Sequence, residues 1–254
     1  MDEAVTDYLL LFAAGTIAGT LNVIAGGGSL LTLPVMIFLG LPATVANGTN
    51  RVAILAQNVG AVWRFQRHQL IDWRWLGLAA WPALAGAALG TWFAVEIGDE
   101  AFRKALAILM VALAAWTLWD PLGRRPFGTT LHAAHTSSGR LLLRAGFFLA
   151  GVYGGFVQAG VGFVILAVIT LAGLDLVRGN ALKVLLVLIY TPLSLALFVA
   201  AGKVEWGFGA ALAAGSLAGG LLGVRLTVLK GHAWIKRVVT ITIVLFAIRL
   251  WYGG

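Results

Sequence analysis

The chain has 254 residues, of which 60% are hydrophobic and 11% charged, with 10 Trp, no Cys and a mean hydropathy of +0.93. Soluble domains do not show that profile, so the composition points to an all-α integral membrane protein, and the missing cysteines exclude disulfides and thiolate metal sites. The formal charge of +8 is what basic loops beside membrane segments produce, which makes the lipid bilayer the expected partner and nucleic acid not one.

The opening "MDEAVTDYLLLF" puts acidic rather than basic residues ahead of an apolar run and offers no small-residue cleavage site, so it reads as a retained spanning helix rather than a signal peptide. From Asn22 to Ile54 the sequence "NVIAGGGSLLTLPVMIFLGLPATVANGTNRVAI" interrupts an apolar stretch with Gly, Pro and Asn and closes on Arg. Backbone that leaves a helix inside a bilayer has no water to bond, so such segments survive only where they are buried in protein or line a hydrated cavity. "AGGGS" at 25–29, and later "AGVGF" at 159–163, read as interruptions of this kind. The half-helix after each would present amide groups and a positive dipole end suited to an anion; a tight crossing or a surface loop is the other reading. A polar-faced helix, a helix with Gly86 and Gly90 at GxxxG spacing and a closing helix follow, and GxxxG predicts close helix packing rather than a site. The one long polar break, Asp120 to Arg140, holds the pair His132 and His135, which reads as solvated rather than metal-bound.

The second half repeats the first. A shift of 133 residues lays "GLPATVANGTNRVA" (Gly40 to Ala53) on "GLDLVRGNALKVLL" (Gly173 to Leu186), and Gly86 and Gly90 on Gly219 and Gly223. "AGTIAGTLN" at 14–22 likewise matches "AGVYGGFVQ" at 150–158. The breaks at 64–74, 120–144 and 229–237 hold ten Lys and Arg, whereas the alternating breaks at 1–8, 96–104, 201–206 and 249–254 hold four. By the positive-inside rule the first set is cytoplasmic and the N-terminus extracytoplasmic. Equivalent loops then fall on opposite sides, which predicts two inverted repeats, 1–120 and 141–254, joined by a cytoplasmic linker at 121–140. The two repeats supply about 8–10 membrane segments including broken or re-entrant hairpins, an architecture of transporters.

At 100° per residue, Asn47, Asn50, Arg51, Gln57 and Asn58 share one face of about 120°, and Asn180, Lys183, Tyr190, Thr191 and Ser194 share the matching face in the second half. Intramembrane cations are costly and face a pathway or a partner. The other readings are snorkelling for Arg51 and Lys183 and helix N-caps for Asn47, Asn180 and Asp175. Together with the breaks, these stripes nominate Asn22, Gly27, Gly28, Ser29, Asn47, Asn50, Arg51, Gln57, Asn58, Gln158, Gly160, Gly162, Asn180, Lys183, Tyr190 and Thr191 as substrate-contacting residues.

The glycine run with "LTLPVMIFLGLPATVANGTN", followed by "GGFVQAGVGFVILAVITLAGLDLVRGNALKVLLVLIYT", resembles the sulfite exporter TauE/SafE family over nearly the whole chain. The resemblance implies transport of a small sulfur-containing oxyanion (sulfite, a sulfonate, sulfoacetate) across a bacterial inner membrane. A tetrahedral anion of this class suits Arg, Lys and Asn donors. A passive anion channel, or a permease for another small carboxylate or oxyanion, is the alternative. An enzyme is not expected: GxSxG and HExxH are absent and the ten acidic residues lie in or near the breaks. No cofactor and no metal are expected, the chain has no P-loop, and a homo-oligomer is a possible assembly.

Overall fold

The computed structural model describes residues 3–24, 26–118 and 136–252, with side chains described at 4–24, 26–112 and 136–230. In chain order the elements are α1 (Glu3–Ile24), α2 (Ser29–Phe38), α3 (Ala43–Arg67), a 3-10 turn (Trp73–Trp75), α4 (Leu76–Glu96), α5 (Asp99–Leu118), α6 (Ser137–Phe156), α7 (Val161–Leu171), α8 (Leu176–Ala200) and α9 (Trp206–Tyr252). Among the described residues there is no strand, as the all-α reading expects. Among the described residues four helices are long and apolar enough to cross a membrane: α1, α4 with its preceding turn, α8, and α9 as far as Lys230. α2 and α7 are apolar but only 10 and 11 residues long, about half a span.

The offset of 133 is visible at α3 and α8 and in the turns that precede them. α3 and α8 both have 25 residues and begin 133 positions apart. The turns before them are built alike, through left-handed glycines at Gly40 (φ 94°) and Gly173 (φ 84°), a conformation that costs other residues. In each turn the next amide reaches back to close a Schellman-type end, Leu41 N to Met36 O at 3.1 Å and Leu174 N to Ile169 O at 3.4 Å. Asp175 caps α8 by accepting from Val177 N (2.9 Å) and Arg178 N (3.0 Å), so its N-cap reading holds.

The halves interlock by exchange: α1 packs on α9 and α4 on α6. Glycines make both seams. A Cβ on Gly15 would lie 2.6 Å from the Leu212 carbonyl, one on Gly19 2.5 Å from that of Ser216, and one on Gly223 2.9 Å from that of Thr20. On the other seam a Cβ at Gly86 or Gly90 would run into the backbone of Phe148 or Val152, and one at Gly151 or Gly155 into that of Ala83 or Ala87. The GxxxG spacing thus does what it predicts, letting backbones approach in lipid. In both seams residue numbers rise together, so each pair is parallel. By contrast α3 and α8 are antiparallel: Gly48 lies against the Lys203 carbonyl, while Asn22 touches both Gln57 and Lys183.

The basic stretch 229–237, expected as a break, lies inside α9. Its Lys and Arg are good helix formers and no Pro interrupts it, so nothing local stops the helix. His132 and His135, with most of the linker 121–140, fall outside the described residues.

Candidate functional site

The two interruptions meet each other. A Cβ on Gly26 would collide with the Cα of Gly162, and one on Gly162 with that of Gly26, so the break after α1 and the start of α7 cross backbone on backbone. Beside this crossing, a Cβ on Gly27 would lie 2.9 Å from the Phe163 ring, and one on Gly28 would strike the Ala18 carbonyl. Gly160 enters α7 with φ 72°. Asn50 on α3 fixes the start of α2, donating Nδ2 to Ser29 Oγ (3.0 Å) and accepting at Oδ1 from Thr32 Oγ1 (2.8 Å). Neither α2 nor α7 receives a side-chain cap hydrogen bond.

Both cations are buried, Arg51 at 0% and Lys183 at 2% exposure, so neither snorkels. Each is spent on the end of a helix from the other half. Arg51 donates through Nη1 to Gly154 O (3.3 Å) and Gln158 Oε1 (3.1 Å), and through Nη2 to Gly154 O (3.3 Å) and Gly155 O (2.5 Å). Its guanidinium also stacks 4.7 Å from the Phe198 ring centre. Lys183 Nζ donates to Asn22 O (2.9 Å), Val23 O (2.9 Å) and Asn180 Oδ1 (2.6 Å). Apart from the side-chain oxygens of Gln158 and Asn180, the acceptors are last-turn carbonyls of α6 and α1, which lack intrahelical partners and form the negative end of the helix dipole. Asn47 and Asn180 complete these clasps, donating Nδ2 to Phe156 O (2.9 Å) and Ile24 O (3.0 Å). They lie inside α3 and α8 rather than capping them, which corrects the N-cap reading.

No Asp or Glu is buried among the described residues, and the two ion pairs there, Lys104–Glu100 and Arg178–Asp175, are exposed. Two cationic side chains therefore sit inside the protein with no buried carboxylate among the described residues, an expensive arrangement when both are charged. On α3 and α8, the helices that carry them, several buried polar atoms have no partner: Asn47 Oδ1, Arg51 Nε, Gln57 Nε2, Asn58 Nδ2 and Tyr190 OH. Asn22 Nδ2 reaches Gln57 Oε1 at 3.3 Å. Such atoms call for a water or a ligand, and four of the five can donate a hydrogen bond. Thr191 turns back to its own helix, bonding Val187 O at 2.6 Å, and so does not join this group.

Sequence reasoning missed Thr91, which donates to Gly155 O (3.1 Å) and lies 2.7 Å from Ser194 Oγ, and Phe198 under Arg51. Neither carried a pattern: Thr91 sits in an apolar helix and Phe198 is one aromatic among many. A cavity of about 440 Å³ lined by Gly90, Phe93, Glu96, Ile97, Val152 and Phe156 shares with this cluster Phe156, whose carbonyl holds Asn47.

The family described as Sulfite exporter TauE/SafE matches residues 11–250. The chain is 30% identical over 242 residues to a probable membrane transporter protein of Haemophilus influenzae, spanning 95% of this chain and 93% of that one. It is 28% identical over 252 residues to the probable membrane transporter protein YfcA of Escherichia coli K12, spanning 96% and 90%. It is also 28% identical over 241 residues to the probable membrane transporter protein ORF9 of a Sinorhizobium species, spanning 94% and 90%. No solved structure matches the chain.

Proposed function

The chain belongs to the sulfite exporter TauE/SafE family and is a multi-pass membrane transporter, and within that class we propose that it is a secondary permease for a small sulfur-containing oxyanion such as sulfite, a sulfonate or sulfoacetate. It works by alternating access of two inverted repeats in a bacterial inner membrane, with the N-terminus extracytoplasmic. The observation that carries the anion is the buried pair Arg51 and Lys183 with no buried carboxylate among the described residues, beside two short helices whose first turns receive no side-chain cap. An interior of net positive charge favours an anion over a cation or a neutral solute. The unpartnered donors of Arg51, Gln57, Asn58 and Tyr190 are the groups that bind it. Antiparallel α3 and α8, and the exchanged seams of α1 with α9 and α4 with α6, support the inverted repeat.

The test is thermal stabilisation of the purified protein by sulfite, sulfate, sulfoacetate, taurine and thiosulfate. A ligand at 100 times its Kd stabilises the native state by about 2.7 kcal/mol, which a melting curve resolves. One or more of the sulfur anions raises Tm in a saturable manner while chloride at equal ionic strength does not. Equal shifts with every salt would leave the oxyanion reading without support.

A further inference from the structure

We infer that Lys183 is the proton-carrying group of this transporter: its ammonium clasps the end of α1, and loss of its proton to water loosens that clasp. This rests on the transporter reading above and adds the coupling ion to it. The three protons of the ammonium meet three oxygens, Asn22 O at 2.9 Å, Val23 O at 2.9 Å and Asn180 Oδ1 at 2.6 Å. A neutral amine has two N–H groups and a lone pair, so one of the three oxygens would then face a lone pair instead of a donor. Asn180 also holds Ile24 O, the last carbonyl of α1, and the Gly26–Gly162 crossing follows two residues later. A change of protonation at Nζ is therefore felt where the first interruption begins.

The opposite half does the same work with a group that keeps its charge. Arg51 holds Gly154 and Gly155 at the end of α6, and a guanidinium does not deprotonate in proteins, whereas a lysine does. One clasp is permanent and the other depends on a proton. Among the described residues no buried carboxylate or histidine competes for that role. Of the helices packed on α8, α3 carries the buried Arg51, the half-buried Arg64 and the exposed Arg67, α6 the half-buried Tyr153 and the exposed Arg140 and Arg144, and α7 no charged or titratable residue. Asp7 lies at the far end of α1, Glu96 of α4 is exposed, and so are Arg225 and Lys230 of α9. On α8 itself the buried titratable neighbour is Tyr190.

Two measurements test this on the full chain. In proteoliposomes at about pH 7 to 8, where both acid groups of sulfoacetate are ionised, an imposed proton gradient drives sulfoacetate uphill through wild type. In Lys183→Arg the response to the gradient, expressed relative to whatever downhill sulfoacetate flux the variant has, is lost; a Lys183→Arg protein whose relative response equals that of wild type overturns the proposal. The second measurement needs no substrate. With 13C at Cε of the five lysines, the NMR signal missing from Lys183→Arg is followed from about pH 5 to 10. Titration of that signal together with faster amide exchange at the end of α1 supports the proton site, and a signal without titration overturns it. If sulfoacetate does not move through wild type, the anion reading fails for that substrate, and the NMR result alone decides the proton site.

Discussion

Asn47 and Asn180, 133 residues apart, make the same hydrogen bond: each donates Nδ2 to the last carbonyl of the other half's first helix, Phe156 O at 2.9 Å and Ile24 O at 3.0 Å. Both side chains are fully buried. Truncation leaves the buried Ile24 carbonyl or the half-buried Phe156 carbonyl without that donor, so Asn47→Ala and Asn180→Ala each cost about 1–3 kcal/mol, read as a lowered midpoint in denaturant titrations of the protein in micelles. Midpoints unchanged in both variants would remove the reciprocal clasp from the account.

The Gly26–Gly162 crossing leaves no room for a single methyl group, because both neighbours are backbone. Gly162→Ala is therefore expected to abolish the folded, monodisperse protein. Gly77 is the control: it lies in α4 with nothing within 4 Å of an added Cβ, and Ala there gains roughly 0.5–1 kcal/mol of helix stability. Gly209→Ala falls between them, since its Cβ would sit 3.3 Å from Val52 Cγ2, a side-chain atom that can shift. Fluorescence-detected size-exclusion profiles rank the three.

Much of this was legible in the sequence. The 133-residue offset located α3 and α8, the polar stripes picked out Asn47, Asn50, Arg51, Asn180 and Lys183, and the GxxxG spacing located both seams. What the cations do was not legible, because their acceptors at Asn22, Val23, Gly154 and Gly155 are main-chain carbonyls, and a carbonyl carries no residue identity. The register also hides the relation: Lys183 aligns with Asn50 under the offset, not with Arg51, so the two clasps reach equivalent helix ends from different positions. The continuity of α9 through 229–237 was hidden for a simpler reason, since charge marks a membrane boundary without breaking a helix.

Arg51→Lys separates the forked geometry from the charge. Four N–H···O contacts from two terminal nitrogens require a planar fork that a point charge does not supply, so Arg51→Lys lowers stability although the charge is kept. Arg51→Gln loses the charge as well and weakens anion binding by roughly 1.5–3 kcal/mol, the scale of hydrogen bonds to a charged group. Calorimetry and melting curves on the same preparations give both numbers. A Lys variant indistinguishable from wild type in both would mean the fork is not used.

The proposed topology rests on the basic asymmetry. The chain has no cysteine, so single substitutions give unambiguous labelling. Ser138→Cys, exposed at the start of α6, is expected to be protected from an impermeant maleimide in intact cells. Gly98→Cys, exposed beside the acidic turn before α5, is expected to react. The reverse pattern would invert the orientation and leave the fold as it is.

The most direct test of the central claim is flux of labelled sulfite and sulfoacetate into proteoliposomes holding wild type or Arg51→Gln, matched for folded protein. Wild type carries at least one of the two with a rate that saturates in substrate, and Arg51→Gln, at subsaturating substrate, slows it by about tenfold or more, the equivalent of ~1.4 kcal/mol. Flux that rises linearly without saturation would make the protein a channel. No flux of either anion, or flux unchanged by Arg51→Gln, would contradict the claim that the buried cations serve an anion pathway.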